Sequence, residues 1–202
     1  MAIGERYDEI LGAARDVIGR RGFHQASIRE IARSCRLSIA GLYHYVAGKD
    51  ELLFLVLDRS LDRLLAGLDE ALVRADGPAS ALRALILTHL EFAFREPAAL
   101  KIVNRDWELV AEPRRAEGAA KRATYLERGT AVLRAIDRHG RSDAELHAAT
   151  NLLLGMLNGI ATRAFLRSGD DACLLADEVS ALFLHGFLDP DLAVAGGHDD
   201  RG

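Results

Sequence analysis

Residues 27–45 read Ser-Ile-Arg-Glu-Ile-Ala-Arg-Ser-Cys-Arg-Leu-Ser-Ile-Ala-Gly-Leu-Tyr-His-Tyr. Ser27 precedes an apolar set of Ile28, Ile31, Ala32 and Cys35, and Glu30 follows it by three residues, the spacing of a capping box. Arg36-Leu37 forms a tight turn, and Ser38 caps a second short helix reaching Tyr45, with Leu42 as its inward anchor. Two capped helices joined by a turn of about three residues define a helix-turn-helix. In such a unit the second helix enters the major groove amino terminus first. Its outward residues here are Ile39, Ala40, Gly41, Tyr43, His44 and Tyr45, with no Asn, Gln or Arg to grip a base bidentately. They offer apolar contacts to thymine methyls, together with hydroxyl and ring-nitrogen hydrogen bonds.

Working outward, a helix from about Glu5 to Arg21 carries Ile10, Leu11, Ala14, Val17 and Ile18 on one face and stops at Gly22. Gly48 ends the helix-turn-helix, and a long helix from Lys49 to about Ala75 presents Leu53, Leu57, Leu61, Leu64, Leu68 and Leu72. Asp76-Gly77-Pro78 breaks it, and Pro78 opens a helix to about Arg95. Pro97 opens a short amphipathic helix through Leu100, Val103, Trp107 and Val110. The charged stretch 112–118 reads as a loop, after which helix resumes to about His139. Ser142 and Glu145 form a second capping box opening a helix to about Arg167. Ser168-Gly169-Asp170 breaks that helix, a last one runs from about Asp171 to Leu188, and 189–202 reads as a disordered tail. No segment alternates as a strand does. The expected fold is all-α with nine helices, divided into a DNA-binding domain (1–50), a ligand-binding and dimerisation domain (51–188) and the tail.

Net charge over the 202 residues is −4, an unpromising sum for a nucleic-acid ligand, but the charges are segregated. Residues 15–49 hold seven cations against Asp16 and Glu30, a local +5 that leaves −9 for the rest. A positive end on an acidic protein suits one small module meeting phosphates. Cys35 and Cys173 form no motif and suit a reduced cytoplasm. No export signal is visible, and the longest apolar run, 152–161, is too short to span a bilayer. The expected location is cytoplasmic.

Lys49 lies in the first turn of the long helix, where the macrodipole disfavours a cation. A bound phosphate would remove the conflict, and so, more simply, would pairing with Asp50 or solvent. Gly22-Phe23, Ser27 to Ala32, Leu42-Tyr43-His44-Tyr45 and Lys49-Asp50-Glu51-Leu52 together resemble the signature of the TetR family of repressors, over roughly residues 7–53. The resemblance implies that Ser27, Tyr43, His44, Tyr45 and Lys49 hold phosphates while Ile39, Ala40 and Gly41 face bases. With Arg36 and Ser38 these make up the expected DNA-binding set. Arg36 replaces the family's turn glycine, Ala40 stands where many members have glycine, and Val46 replaces the commoner phenylalanine. An arginine held at positive φ would cost roughly 1–2 kcal/mol. The alternatives are an ordinary turn, or strain tolerated because the cation lies near backbone phosphates.

For the body, the resemblance implies that the last two long helices pair with their copies in a four-helix homodimer interface. The helix from 142 is apolar nearly all round, so it needs cover on two sides, and Gly155 and Gly159 would admit another backbone. Expected interface residues are Leu153, Gly155, Met156, Gly159 and Ile160, with Leu175, Val179, Leu182, Phe183 and Gly186 from the final helix. The alternative is that both stripes complete a monomeric core. The middle helices would enclose an effector pocket lined by Phe54, Leu61, Leu85, His89, Phe92, Trp107, Tyr125, Asn151 and Asn158. The carboxy-terminal part faintly resembles branches of the family that sense acyl-CoA thioesters.

An enzyme is disfavoured: there is no paired metal-ligand spacing, Gly-rich phosphate loop or nucleophile elbow, and neither cofactor nor metal is expected. The reading is a repressor that binds a palindromic DNA operator as a dimer and is released by a small, largely apolar effector. The alternative is a helical interaction module that has lost specific DNA binding.

Overall fold

Apolar residues at helical spacing run through nearly the whole chain, and the architecture follows from how those stripes meet. The computed structural model describes residues 3–162 and 169–187. Among them nine α-helices and no strand occur: α1 (Ile3–Arg21), α2 (Ile28–Ser34), α3 (Ile39–Tyr43), α4 (Lys49–Val73), α5 (Pro78–Arg95), α6 (Pro97–Arg105), α7 (Arg114–Ile136), α8 (Asp143–Thr162) and α9 (Gly169–Leu182). A 3₁₀ turn at Trp107–Leu109 follows α6, and a π turn at Phe183–Phe187 extends α9. The expected break at Ser168 and the tail 189–202 lie outside the described residues.

Two apolar cores share one element. The first gathers α1 to α3, the amino-terminal half of α4, and α6 with Trp107 and Val110. The second gathers the rest of α4 with α5, α7, α8 and α9. Leu53, Leu57 and Leu61 of α4 belong to the first, and Leu64 and Leu68 to the second. The first core therefore continues past residue 50, through α4 and onto α6.

The local signals of the sequence take effect where they are self-contained. Ser27 and Ser38 cap α2 and α3 by accepting from Glu30 N (3.1 Å) and Gly41 N (2.9 Å). Ser142 and Glu145 complete a reciprocal capping box. The box expected at Ser27 is only half made, because the Glu30 carboxylate pairs with Arg21 at 3.3 Å. The second helix of the motif is shorter than expected, with His44 as its carboxy-terminal cap and Tyr45 in the following turn.

Three expectations are corrected. Helix α7 begins at Arg114, so most of the expected loop 112–118 is helical. Its charges form a solvent-side face, with Arg114 on Glu51 and Arg115 on Glu112, and Gly118 lies under Trp107. Leu153, Val179 and Phe183, expected at a dimer interface, are buried within the single chain. Leu153 lies on the inner stripe of α8 with Leu146, Ala149 and Leu157, and Val179 and Phe183 on that of α9 with Ala172 and Ala176. Met156, Ile160 and Leu175 are half-buried, and Gly186 falls in the π turn. The outward apolar positions are instead Leu152, Leu174 and Leu182, beside exposed Gly155 and Gly159. Phe54, Leu85 and Trp107, expected to line a pocket, are core residues that do not line the cavity described below.

A Cβ on Gly118 would lie 1.9 Å from Cη2 of Trp107, so the indole must move to admit any side chain. Gly118→Ala is expected to cost about 1–3 kcal/mol by overpacking, measured by chemical denaturation and reported also by Trp107 emission.

Candidate nucleic-acid interface and effector cavity

Leu42 is fully buried beneath α3, which turns the rest of that short helix outward. Tyr43 is 51% exposed, Ile39 37% and Tyr45 36%, unusual solvent contact for three large side chains so close together. Ala40, His44, Ser27 and Ser38 are exposed beside them, and Gly41 is half-buried. Arg36 adopts φ +57, the left-handed conformation natural to the glycine it replaces. Among the described residues, exposed Arg20, Arg29, Arg33 and Arg36 have no acidic partner, whereas Arg21 pairs with Glu30 and Arg6 with Glu9. Arg20, Arg29 and Arg33 entered the sequence reading only as charge. Their lack of partners depends on tertiary neighbours.

Lys49 is not turned toward solvent. Its Nζ donates to the carbonyls of Phe23 (2.8 Å) and Ala26 (3.1 Å) and lies 4.4 Å from the Phe23 ring centroid. Carbonyl dipoles of the α1–α2 turn thus balance a cation that the α4 dipole opposes. Lys49 locks the motif onto α4, and neither Asp50 nor a phosphate is needed to explain its placement. In the same turn, Glu51 accepts from Ala47 N and from Arg114 Nη2 of α7. Those hydrogen bonds hold its carboxyl below the usual range, that from Ala47 most.

A half-open cavity of about 350 Å³ lies among α4, α5, α6, α7 and α8. Of the nine residues expected to line it, Leu61, His89, Phe92, Tyr125, Asn151 and Asn158 do so. Ser60, Asn104, Arg122 and Leu154 also line it, as does Gly155, expected at the dimer interface, and the sequence pattern does not point to any of them as lining residues.

The polar wall is one ordered network. Asn104 Nδ2 donates to Asn158 Oδ1 at 2.9 Å, which fixes the Asn158 amide as an acceptor toward His89. His89 Nε2–H therefore donates to Asn158 Oδ1 (3.2 Å), and Tyr125 O–H donates to His89 Nδ1 (3.2 Å). Burial lowers the His89 pKa from 6.5 to about 4, against a smaller upward pull from Asn158, so the imidazole is neutral at pH 7. Burial also pushes the Tyr125 hydroxyl up, keeping it a donor. Among the described residues no His, Cys, Asp and Glu cluster could hold a metal ion, and no helix is long and apolar enough to cross a membrane.

Fold and site together define a helix-turn-helix regulator with a cavity-bearing helical body. Residues 10–56 match the family described as bacterial regulatory proteins, tetR family, and residues 75–186 match the tetracyclin repressor-like C-terminal domain. The chain belongs to the TetR family of transcriptional regulators, which are not enzymes. It is 32% identical over 154 residues to the HTH-type transcriptional activator FasR of Mycolicibacterium smegmatis, covering 76% of this chain and 68% of that protein. It is 39% identical over 57 residues to the HTH-type transcriptional regulator UidR of Escherichia coli, covering 28% and 29% respectively. Among solved structures, a TetR-family regulator from Bordetella parapertussis superposes with a TM-score of 0.82 at 24% identity, over 90% of this chain and 95% of that one. AibR in complex with isovaleryl coenzyme A and operator DNA superposes with a TM-score of 0.76 at 23% identity, over 89% and 98%.

Two outcomes are expected here. Arg36→Gly relieves a left-handed arginine while freeing the unfolded chain, a net stabilisation of about 0.5–1 kcal/mol in denaturant titration. For His89 the folded pKa lies below the unfolded one, so its contribution is complete above pH 6.5 and is lost as pH falls toward 4. Between pH 7 and pH 5 the wild type should lose about 2 kcal/mol more stability than His89→Gln. Parallel curves for the two proteins would contradict the buried neutral imidazole.

Proposed function

We propose that the protein is a cytoplasmic, ligand-responsive repressor that binds a palindromic operator as a homodimer and is released by a small, largely apolar effector. The observation that carries this reading is the continuity of α4, which begins at the helix-turn-helix and contributes Ser60, Leu61 and Leu64 to the cavity. One rigid element thus spans the DNA-facing motif and the ligand space. The exposed stripe of Leu152, Gly155 and Gly159 on α8, with Leu174 and Leu182 on α9, is the face offered to a second copy. Among the described residues, nothing within 4 Å would meet a Cβ at either glycine, which suits close backbone approach. Dimers reading half-sites one helical turn apart are the usual solution for this motif, since one short helix reads too few bases alone.

On the DNA, Ile39, Ala40 and Gly41 face bases, and Tyr43, His44, Tyr45, Ser27 and Ser38 meet phosphates, supported by the unpaired Arg29, Arg33 and Arg36. Lys49 serves DNA binding indirectly, by holding the α1–α2 turn against α4. The AibR complex makes an acyl-CoA thioester a reasonable effector to test first. DNA and effector select different spacings of the two recognition helices, and each shifts the balance only by its differential affinity.

Selection from a random duplex library at fixed near-physiological salt should recover a palindrome with half-sites roughly 34–36 Å apart. Tyr43→Ala should weaken binding to it at least tenfold without changing thermal unfolding. Salt-sensitive binding with no enriched sequence would instead favour the interaction module. Transcription in vitro from the recovered site decides repression against activation, the latter being the activity in FasR's name.

A further inference from the structure

Among the described residues, Arg122 is the sole ionised side chain lining the cavity among α4 to α8, since the one lining histidine is buried neutral and none of the described lining residues is a carboxylate. It stands on α7 one turn before Tyr125. Its Nη1 donates to the Val103 carbonyl at 3.0 Å, and its guanidinium lies 5.7 Å from the Trp107 ring centroid. These contacts orient the group but do not neutralise it. Asp58 and Asp62, on the adjoining stretch of α4, are both paired with Lys121. Among the described residues, no carboxylate pairs with Arg122.

Arg122 is itself solvent-exposed, so its charge needs no partner within the chain and stays open to an anion that enters the cavity. The lining also includes Leu61, Leu64, Phe92 and Leu100, whose side chains suit hydrocarbon and offer no hydrogen bonds. A volume of about 350 Å³ suits a medium-chain compound. We infer that the cavity takes a small organic acid as its carboxylate, the apolar body against Leu61, Leu64 and Phe92 and the carboxylate on Arg122. The inference rests on reading this cavity as the effector site, and it narrows the chemistry of the effector. A guanidinium pairs with a carboxylate through parallel charge-assisted hydrogen bonds. A thioester lacks charge at the same carbon, so the acid and its coenzyme A ester are separable by their dependence on Arg122.

The full chain provides its own reporter, because its single tryptophan, Trp107, lies against Arg122. Titrations with octanoate, octanol and octanoyl-CoA, followed by Trp107 emission and by calorimetry, test the assignment. Octanoate should bind at least tenfold more tightly than octanol. Arg122→Gln should abolish that preference and Arg122→Lys retain part of it, with thermal unfolding of each variant measured alongside. Equal affinity of the wild type for octanoate and octanol overturns the inference and leaves an effector cavity of neutral preference. Tight octanoyl-CoA binding unaffected by Arg122→Gln, with octanoate silent, also overturns it and makes the thioester the ligand. A chain that binds none of the three loses both the inference and the cavity's role as an effector site.

Discussion

The structure depends on α4 belonging to two cores at once. Its 25 residues span roughly 37 Å at 1.5 Å per residue, with Leu53 and Leu57 in the amino-terminal core and Leu64 and Leu68 in the carboxy-terminal one. Its first turn is pinned from both sides, by Lys49 on the carbonyls of the α1–α2 turn and by Glu51 between Ala47 and Arg114. Helix α7 follows it through Glu51–Arg114, Lys121 with Asp58 and Asp62, and Arg128–Asp69. The basic partners recur every seven residues and so present one face of α7. Partly exposed pairs such as Glu51–Arg114 contribute under about 1 kcal/mol each. Their consequence is register: α7 cannot slide along α4 without breaking them together.

Register matters because the cavity lies against these two helices. Arg122 and Tyr125 come from α7, and Ser60, Leu61 and Leu64 from α4. Both cores are close-packed, so a displacement at the cavity is passed to neighbouring elements and not absorbed locally. The polar wall is ordered in the same sense. Asn104 sets the Asn158 amide, which sets the His89 tautomer, which leaves Tyr125 as donor. A ligand that enters must match this pattern or break it, and each unsatisfied group it leaves costs about 1–3 kcal/mol.

What could be read from the sequence was what neighbours in sequence decide. Ser27 and Ser38 are caps because their partners are three residues away, and the heptad-like leucines of α4 declare a helix without help. Glu30 and Lys49 were read less well, since Arg21, Phe23 and Ala26 take them over only once α1 has packed. Arg36 could be posed as a choice between strain and an ordinary turn. The fold takes the strain, at φ +57. The stretch 112–118 reads as a loop by composition, yet it is helical from Arg114, where Glu51 receives its first charge and Trp107 covers Gly118. On α8, apolar residues on every side left the inner stripe undetermined. Contact with its neighbours turned Leu153 inward and left Leu152 outside. Six of the nine expected cavity residues line it, but Asn104 and Arg122 required the relative placement of α6 and α7, which no periodicity encodes.

For a regulator of the proposed kind, this arrangement restricts how an effector can act. Leu61 and Leu64 lie 12 and 15 residues beyond Lys49, roughly 18–22 Å along the helix, so a small tilt at the cavity becomes a displacement at the motif. The tilt cannot be confined to α4, because Arg114 fastens α7 to the same first turn and α7 carries Arg122 and Tyr125 into the same cavity. An effector that merely filled the space, fitting both spacings of the dimer equally, would change nothing at the DNA. It must grip α7 more favourably in one arrangement than in the other. A side chain able to do so strongly needs charge or several donors, and among the lining residues Arg122 has both.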